Sequence, residues 1–129
     1  MRLFVVSVDD RPGALAEICE VVKPAKIKYI ATQKAGYGKG FVKIVTNEDS
    51  ITEANLRAKG FMFIEEPLIL AKTEEGNSSA FYEMTSKLSS QGLNIENLFM
   101  FEPGVLAMII NPQDAESAKK LLGDRVVRI

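Results

Sequence analysis

Residues 7–22 read SVDDRPGALAEICEVV, and the fold follows from how this stretch is punctuated. The apolar run Leu3–Val8 leads into it, β-branched and aromatic enough to be a strand. Asp9-Asp10-Arg11 breaks that strand. Asp10 is placed to cap a helix with its carboxylate, and Pro12 suits a first helical turn because its missing N–H is not needed there. Leu15, Ile18, Cys19 and Val22 then recur at i, i+3, i+4 and i+7, the spacing of one apolar helix face, and Pro24 ends the run.

Working outward, Ile27 to Gln33 reads as a second strand with Ile27, Tyr29 and Ala31 on one side. Gly36-Tyr37-Gly38-Lys39-Gly40 reads as a hairpin turn and Phe41 to Thr46 as a third strand. Asn47-Glu48-Asp49-Ser50 is a capping cluster for a short helix marked by Ile51, Ala54 and Ala58 and stopped at Gly60, before a strand over 61–64. Glu65-Glu66-Pro67 is a short connection, and then the order returns. A strand over 68–72 leads to the loop Glu75–Ser79, and a helix carries Phe81, Met84 and Leu88. Strands over 95–101 and 105–110 flank Glu102-Pro103-Gly104. A helix opened by Asn111-Pro112 carries Ala115, Ala118 and Leu122 to Gly123, and a last strand covers 126–129.

The return is close to residue by residue. Leu15, Ile18, Val22 and Ile27 match Phe81, Met84, Leu88 and Leu93, and past a shorter hairpin Gly40, Asn47 and Ala54 match Gly104, Asn111 and Ala118. The expected fold is therefore α+β. Two βαββαβ ferredoxin-like repeats occupy 1–66 and 67–129, with antiparallel sheets side by side and the helices on one face.

Composition narrows the function. The 129 residues are 47% hydrophobic and 26% charged, which is globular, and the net charge of −1 supplies no electrostatic reason to bind nucleic acid or an anionic membrane. No apolar run approaches the ~20 residues of a transmembrane helix, and Met1-Arg2-Leu3 enters a strand with no secretory signal, so a cytoplasmic protein is expected. Cys19 is alone and histidine is absent, which removes the commonest general base and zinc ligand; no metal, no cofactor and no catalytic residues are expected.

The strand followed by Asp9-Asp10-Arg11-Pro12-Gly13-Ala14-Leu15 and an apolar helix face resembles the signature of the ACT domain, and Gly92-Leu93-Asn94-Ile95 resembles that family's second hallmark. The resemblance covers nearly the whole chain as a tandem pair. It implies a small allosteric module of metabolic regulation that binds an amino acid, with the ligand between the first loop of one domain and the second strand of its neighbour. On that basis the expected ligand residues are Asp9, Asp10, Arg11, Pro12, Gly13, Ala14, Leu15, Asn94 and Ile95. The copies are unequal, since Ser78-Ser79 stand where Pro12-Gly13 do, and Lys26-Ile27-Lys28-Tyr29 match Gly92-Leu93-Asn94-Ile95 without the Asn. The resemblance thus implies one better site and a second, altered one at Asn77, Ser78, Ser79 and Lys28.

Simpler readings stand beside these. The Pro-Gly loop is also an ordinary helix start, Asn94 an ordinary polar residue after a turn, and Asn77, Ser78 and Ser79 ordinary caps. Cys19 falls on the apolar stripe. Gly36-x-Gly38-x-Gly40 lies between strands rather than opening a helix, which argues against a phosphate loop, and Phe99 and Phe101 read as packing residues. The expected partners are a small amino acid, a metabolic enzyme and a second copy of the chain in a homodimer. The alternative is a non-catalytic regulatory subunit or oligomerisation module docked to an amino-acid biosynthetic enzyme.

Overall fold

The computed structural model of the chain describes residues 1–128, so Ile129 of the expected last strand lies outside the described residues. The chain divides into two compact units between Glu66 and Pro67. The first contains β1 (Arg2–Asp9), α1 (Ala14–Val21), β2 (Ile27–Gly36), β3 (Lys39–Thr46), α2 (Asp49–Ala58) and β4 (Phe63–Pro67), whose last residue is the first of the second unit. The second contains β5 (Ile69–Lys72), α3 (Ser78–Ser90), β6 (Ile95–Glu102), β7 (Val105–Ile110), α4 (Ala115–Leu122) and β8 (Val126–Val127). Glu65-Glu66-Pro67, expected as a connection, is part of strand β4.

The sheets run β2-β3-β1-β4 and β6-β7-β5-β8. The chain therefore has the α+β architecture read from its sequence, two βαββαβ units forming two antiparallel four-stranded sheets. In the first unit Phe4 and Val6 of β1 and Val42 and Ile44 of β3 share one face with Ile18 of α1, Val22 at its C-cap and Leu56 of α2. In the second, Ile69 and Ala71 of β5 and Leu106, Met108 and Ile110 of β7 face Met84 and Leu88 of α3 and Ala118 and Leu122 of α4. Each sheet thus buries one face under its own pair of helices, which is the main stabilising contribution available to units this small.

Several local readings are corrected. Asp10 does not cap α1: the N-cap is Gly13, with no side-chain hydrogen bond, and Pro12 precedes the helix instead of occupying its first turn. The buried line of this segment is Ala14, Ile18 and Val22, with Leu15 40% exposed and Cys19 only half-buried. In α2 the buried residues are Thr52 and Leu56, while Ala54 and Ala58 are exposed. An apolar pattern missed this face because Thr52 is polar; its hydroxyl lies 2.7 Å from that of Thr46 and donates to the Glu48 carbonyl, so the burial is satisfied. Ser78 and Ser79 belong to the first turn of α3 rather than to a loop.

The repeat is real but its register shifts more often than the sequence match allows. Thr46 and Ile110 each end their strand, and Ile27 lies opposite the first as Ile95 lies opposite the second. Ile27 therefore corresponds to Ile95, not Leu93, and the counterpart of Asn94 is Lys26, not Lys28. Lys28 is the extra residue of a bulge between Ile27 and Tyr29, a device that single-strand patterning does not display. In the helices Thr52 and Leu56 occupy the places of Ala118 and Leu122, so Ala54 is not the partner of Ala118. Gly40 and Gly104 also differ in role. Gly40 lies inside β3, where a Cβ would come within 3.0 Å of the Gln33 carbonyl oxygen, whereas Gly104 turns the second hairpin at φ 78°.

Candidate functional site

The loop between β1 and α1 is shaped by its backbone. The Ala14 N–H donates to the Arg11 carbonyl at 3.2 Å, enclosing Pro12 and Gly13, and Gly13 has φ 91° and ψ −14°. Those angles at the third position, with proline at the second, make a type II turn that favours glycine. The Asp10 N–H donates to the Gly38 carbonyl at 2.9 Å, fastening the loop to the β2–β3 hairpin, whose two turn residues, Tyr37 and Gly38, both have positive φ. Helix α1 leaves the turn with the N–H groups of its first residues beyond the reach of any earlier helical carbonyl, a setting favourable to negative charge.

Four charged side chains surround this loop in two pairs. Lys39 Nζ donates to Asp9 Oδ1 at 2.6 Å, and Arg11 Nη2 donates to Glu17 Oε1 at 2.7 Å. Arg11 Nη1 also reaches the Pro12 carbonyl at 3.2 Å. The hydrogen bond from Lys39, then its positive charge, holds the Asp9 carboxyl below its ordinary range. The hydrogen bond to Glu17, then that residue's charge, pushes the Arg11 guanidinium upward. All four side chains are partly open to water, at 62% for both Asp9 and Lys39, 47% for Arg11 and 52% for Glu17. They border a cleft of about 250 Å³ whose apolar lining includes Val8, Ala14, Phe61 and Met62.

Of the expected ligand residues, Asp9, Arg11 and Ala14 come together in this cleft. Pro12 and Gly13 form the turn beside it, and Asp10 and Leu15 are exposed. Asn94 and Ile95 belong to the second unit. Asn94 is exposed between α3 and β6, just after a helix end in which Gly92, at φ 76°, donates to Ser89 and Leu93 donates to Leu88. The Ile95 side chain is half-buried against the second core. In the altered set Asn77 caps α3, its Oδ1 accepting from the Ala80 N–H at 3.0 Å, while Ser78, Ser79 and Lys28 are exposed. Glu17 and Lys39 were not singled out as ligand residues from sequence. Lys39 stands opposite Asp9 only through the β1–β3 pairing, a non-local register that the local pattern does not display.

Among the described residues no three Cys, Asp or Glu side chains converge into a metal-holding group, and no helix is long and apolar enough to cross a membrane.

No protein-family model matches the chain, and no curated protein does. Solved structures do. Protein BT0572 from Bacteroides thetaiotaomicron superposes with a TM-score of 0.78 at 15% identity, over 94% of this chain and 85% of that one. The ligand-free regulatory subunit of aspartate kinase from Thermus thermophilus gives 0.70 at 16% identity, over 96% and 90%. The corresponding subunit from Thermus flavus gives 0.64 at 17%, over 94% and 88%. The chain thus has the tandem ACT fold of the aspartate kinase regulatory subunits, matched along nearly its full described length. At these identities the likeness is one of fold.

Proposed function

We propose that the chain is a non-catalytic regulatory protein that binds an amino acid through the first loop, Asp9 to Leu15. The observation that carries this reading is the small cleft beside the type II turn, where both signs of charge border an apolar lining. A free amino acid offers the matching ammonium, carboxylate and side chain. The sharing of a fold with proteins described as regulatory subunits supports the same direction. Under this reading the protein acts in the cytoplasm as a homodimer, and Asn77, Ser78 and Ser79 mark a weaker, altered counterpart of that loop in the second unit.

The test is a thermal-shift screen of the purified chain against the common amino acids. A ligand at ~100 times its dissociation constant adds about 2.7 kcal/mol of stability, a shift of several degrees for a chain of this size. A shift with one or a few amino acids supports the reading; an unchanged midpoint with all of them sinks it.

A second reading is a regulatory subunit that docks to an amino-acid biosynthetic enzyme without binding ligand itself. It is favoured by one similar structure being described as aspartokinase alpha and beta subunits, which has a TM-score of 0.66 and 16% identity. A catalytic subunit that copurifies with the chain and is insensitive to every amino acid favours it; a ligand response excludes it.

A further inference from the structure

The cleft in the first unit has a property that the loop residues alone do not explain: its charges alternate and are already paired. Asp9 is held by Lys39 and Arg11 by Glu17, at 2.6 and 2.7 Å, and among the described residues no fifth charged one lines the cleft. Pairs this exposed contribute little to stability, so exchanging their partners costs little. Two of the four groups come from outside the loop, Glu17 from α1 and Lys39 from the start of β3.

We propose that Lys39 and Glu17 determine ligand specificity by partner exchange: the ligand carboxylate takes Lys39, the ligand ammonium takes Glu17, and both native ion pairs open. This inference rests on the amino-acid-binding reading above and names the residues that select for a free, unblocked zwitterion. The exchange conserves charge, since each cation keeps one carboxylate and each anion keeps one cation. Asp9 and Arg11, released from their first partners, are left to neutralise one another in the same loop. The second unit lacks the arrangement. In the register that sets Thr46 in the place of Ile110 and Gly40 in the place of Gly104, the position of Lys39 falls at Pro103, which carries no charge. One site of this kind per chain follows.

The experiment uses the full chain and calorimetric titration with the common L-amino acids, each also supplied as its C-terminal amide and its N-acetyl derivative. Wild type is expected to bind at least one free amino acid with one site per chain, and to bind its amide and N-acetyl forms weakly. Lys39→Met is expected to bind the free amino acid about ten- to a hundredfold more weakly, the weight of one charged hydrogen bond. It should no longer distinguish the free acid from the amide. Glu17→Gln should lose discrimination against the N-acetyl form in the same way. The ligand-free melting midpoint of each variant should fall only slightly, because ion pairs this exposed contribute about 0–1 kcal/mol. If a free amino acid binds wild type and both variants equally, the partner exchange is wrong while the amino-acid reading stands. If affinity falls but discrimination between free and blocked forms persists, the two residues only shape the cleft and the proposal fails. If no amino acid binds wild type, both fail together.

Discussion

Lys39 and Asp9 face one another across neighbouring antiparallel strands, and their side chains close that pairing with a 2.6 Å hydrogen bond. Opposed charges in this position support strand pairing, and here they also bind the β2–β3 hairpin to the residue that begins the loop. Because Lys39 lowers the proton affinity of Asp9 in the folded chain, the contribution is complete above the ordinary carboxyl value of 3.8 and fades as pH falls through the lower folded value. Carboxyl-carbon NMR should find Asp9 titrating below its ordinary value in wild type and moving back up in Lys39→Met. An unmoved Asp9 would mean that the pair does not persist in solution.

The buried hydroxyls of Thr46 and Thr52 give a sharper test. Both residues are 0% exposed, and the second unit has apolar Ile110 and Ala118 in the same places. Thr52→Ala alone should cost about 1–3 kcal/mol, since Thr46 loses a buried partner. Adding Thr46→Ile removes the orphaned hydroxyl and so should recover part of that loss, but only part, because the Glu48 N–H then loses the Thr46 oxygen it donates to at 3.1 Å. Urea unfolding of the two single variants and the double variant measures the coupling. Strict additivity would rule out the pair as a unit.

Asn55 ties the two helices of the first unit together. Its amide donates to the Val21 and Lys23 carbonyls, both at 3.0 Å, supplying partners at the end of α1 that the helix itself cannot provide. Asn55→Ala is expected to destabilise the unit by about 1–3 kcal/mol. Amide hydrogen exchange should speed up at the end of α1 more than in β1; uniform protection would contradict this role.

At Gly13 the backbone conformation, rather than space, sets the penalty. A Cβ there would meet only the Arg11 guanidinium, at an ordinary 3.6 Å. The positive φ should still make Gly13→Ala about 1–2 kcal/mol less stable. A denaturant midpoint equal to that of wild type would mean the turn relaxes to another form. In the second unit Leu88, fully buried between α3 and its sheet, should show the larger loss of a core truncation, about 2–5 kcal/mol for Leu88→Ala.

The strands and the doubling were legible because alternation and glycine punctuation are local signals. Ile18, Val22, Met84 and Leu88 are buried as their helical spacing requires. The misreadings arose where a distant partner decides the outcome. Thr52 is buried because Thr46 satisfies it. Lys28 is an extra residue because β3 fixes the pairing on either side of it. The loop itself was visible, but its ion pairs were not. Arg11 finds Glu17 only once α1 has formed, and Asp9 finds Lys39 only once the hairpin has folded back.

The two halves differ most consequentially in where a helix begins. At the place of the Pro12-Gly13 turn the second half has Ser78-Ser79 already wound into α3 beneath the Asn77 cap. The divergence is therefore one of helix length as well as residue identity. Grafting Pro and Gly onto positions 78 and 79 would have to unwind a capped half-turn before it could recreate the first loop. The duplicated fold has in this way become two parts whose loops no single substitution can exchange.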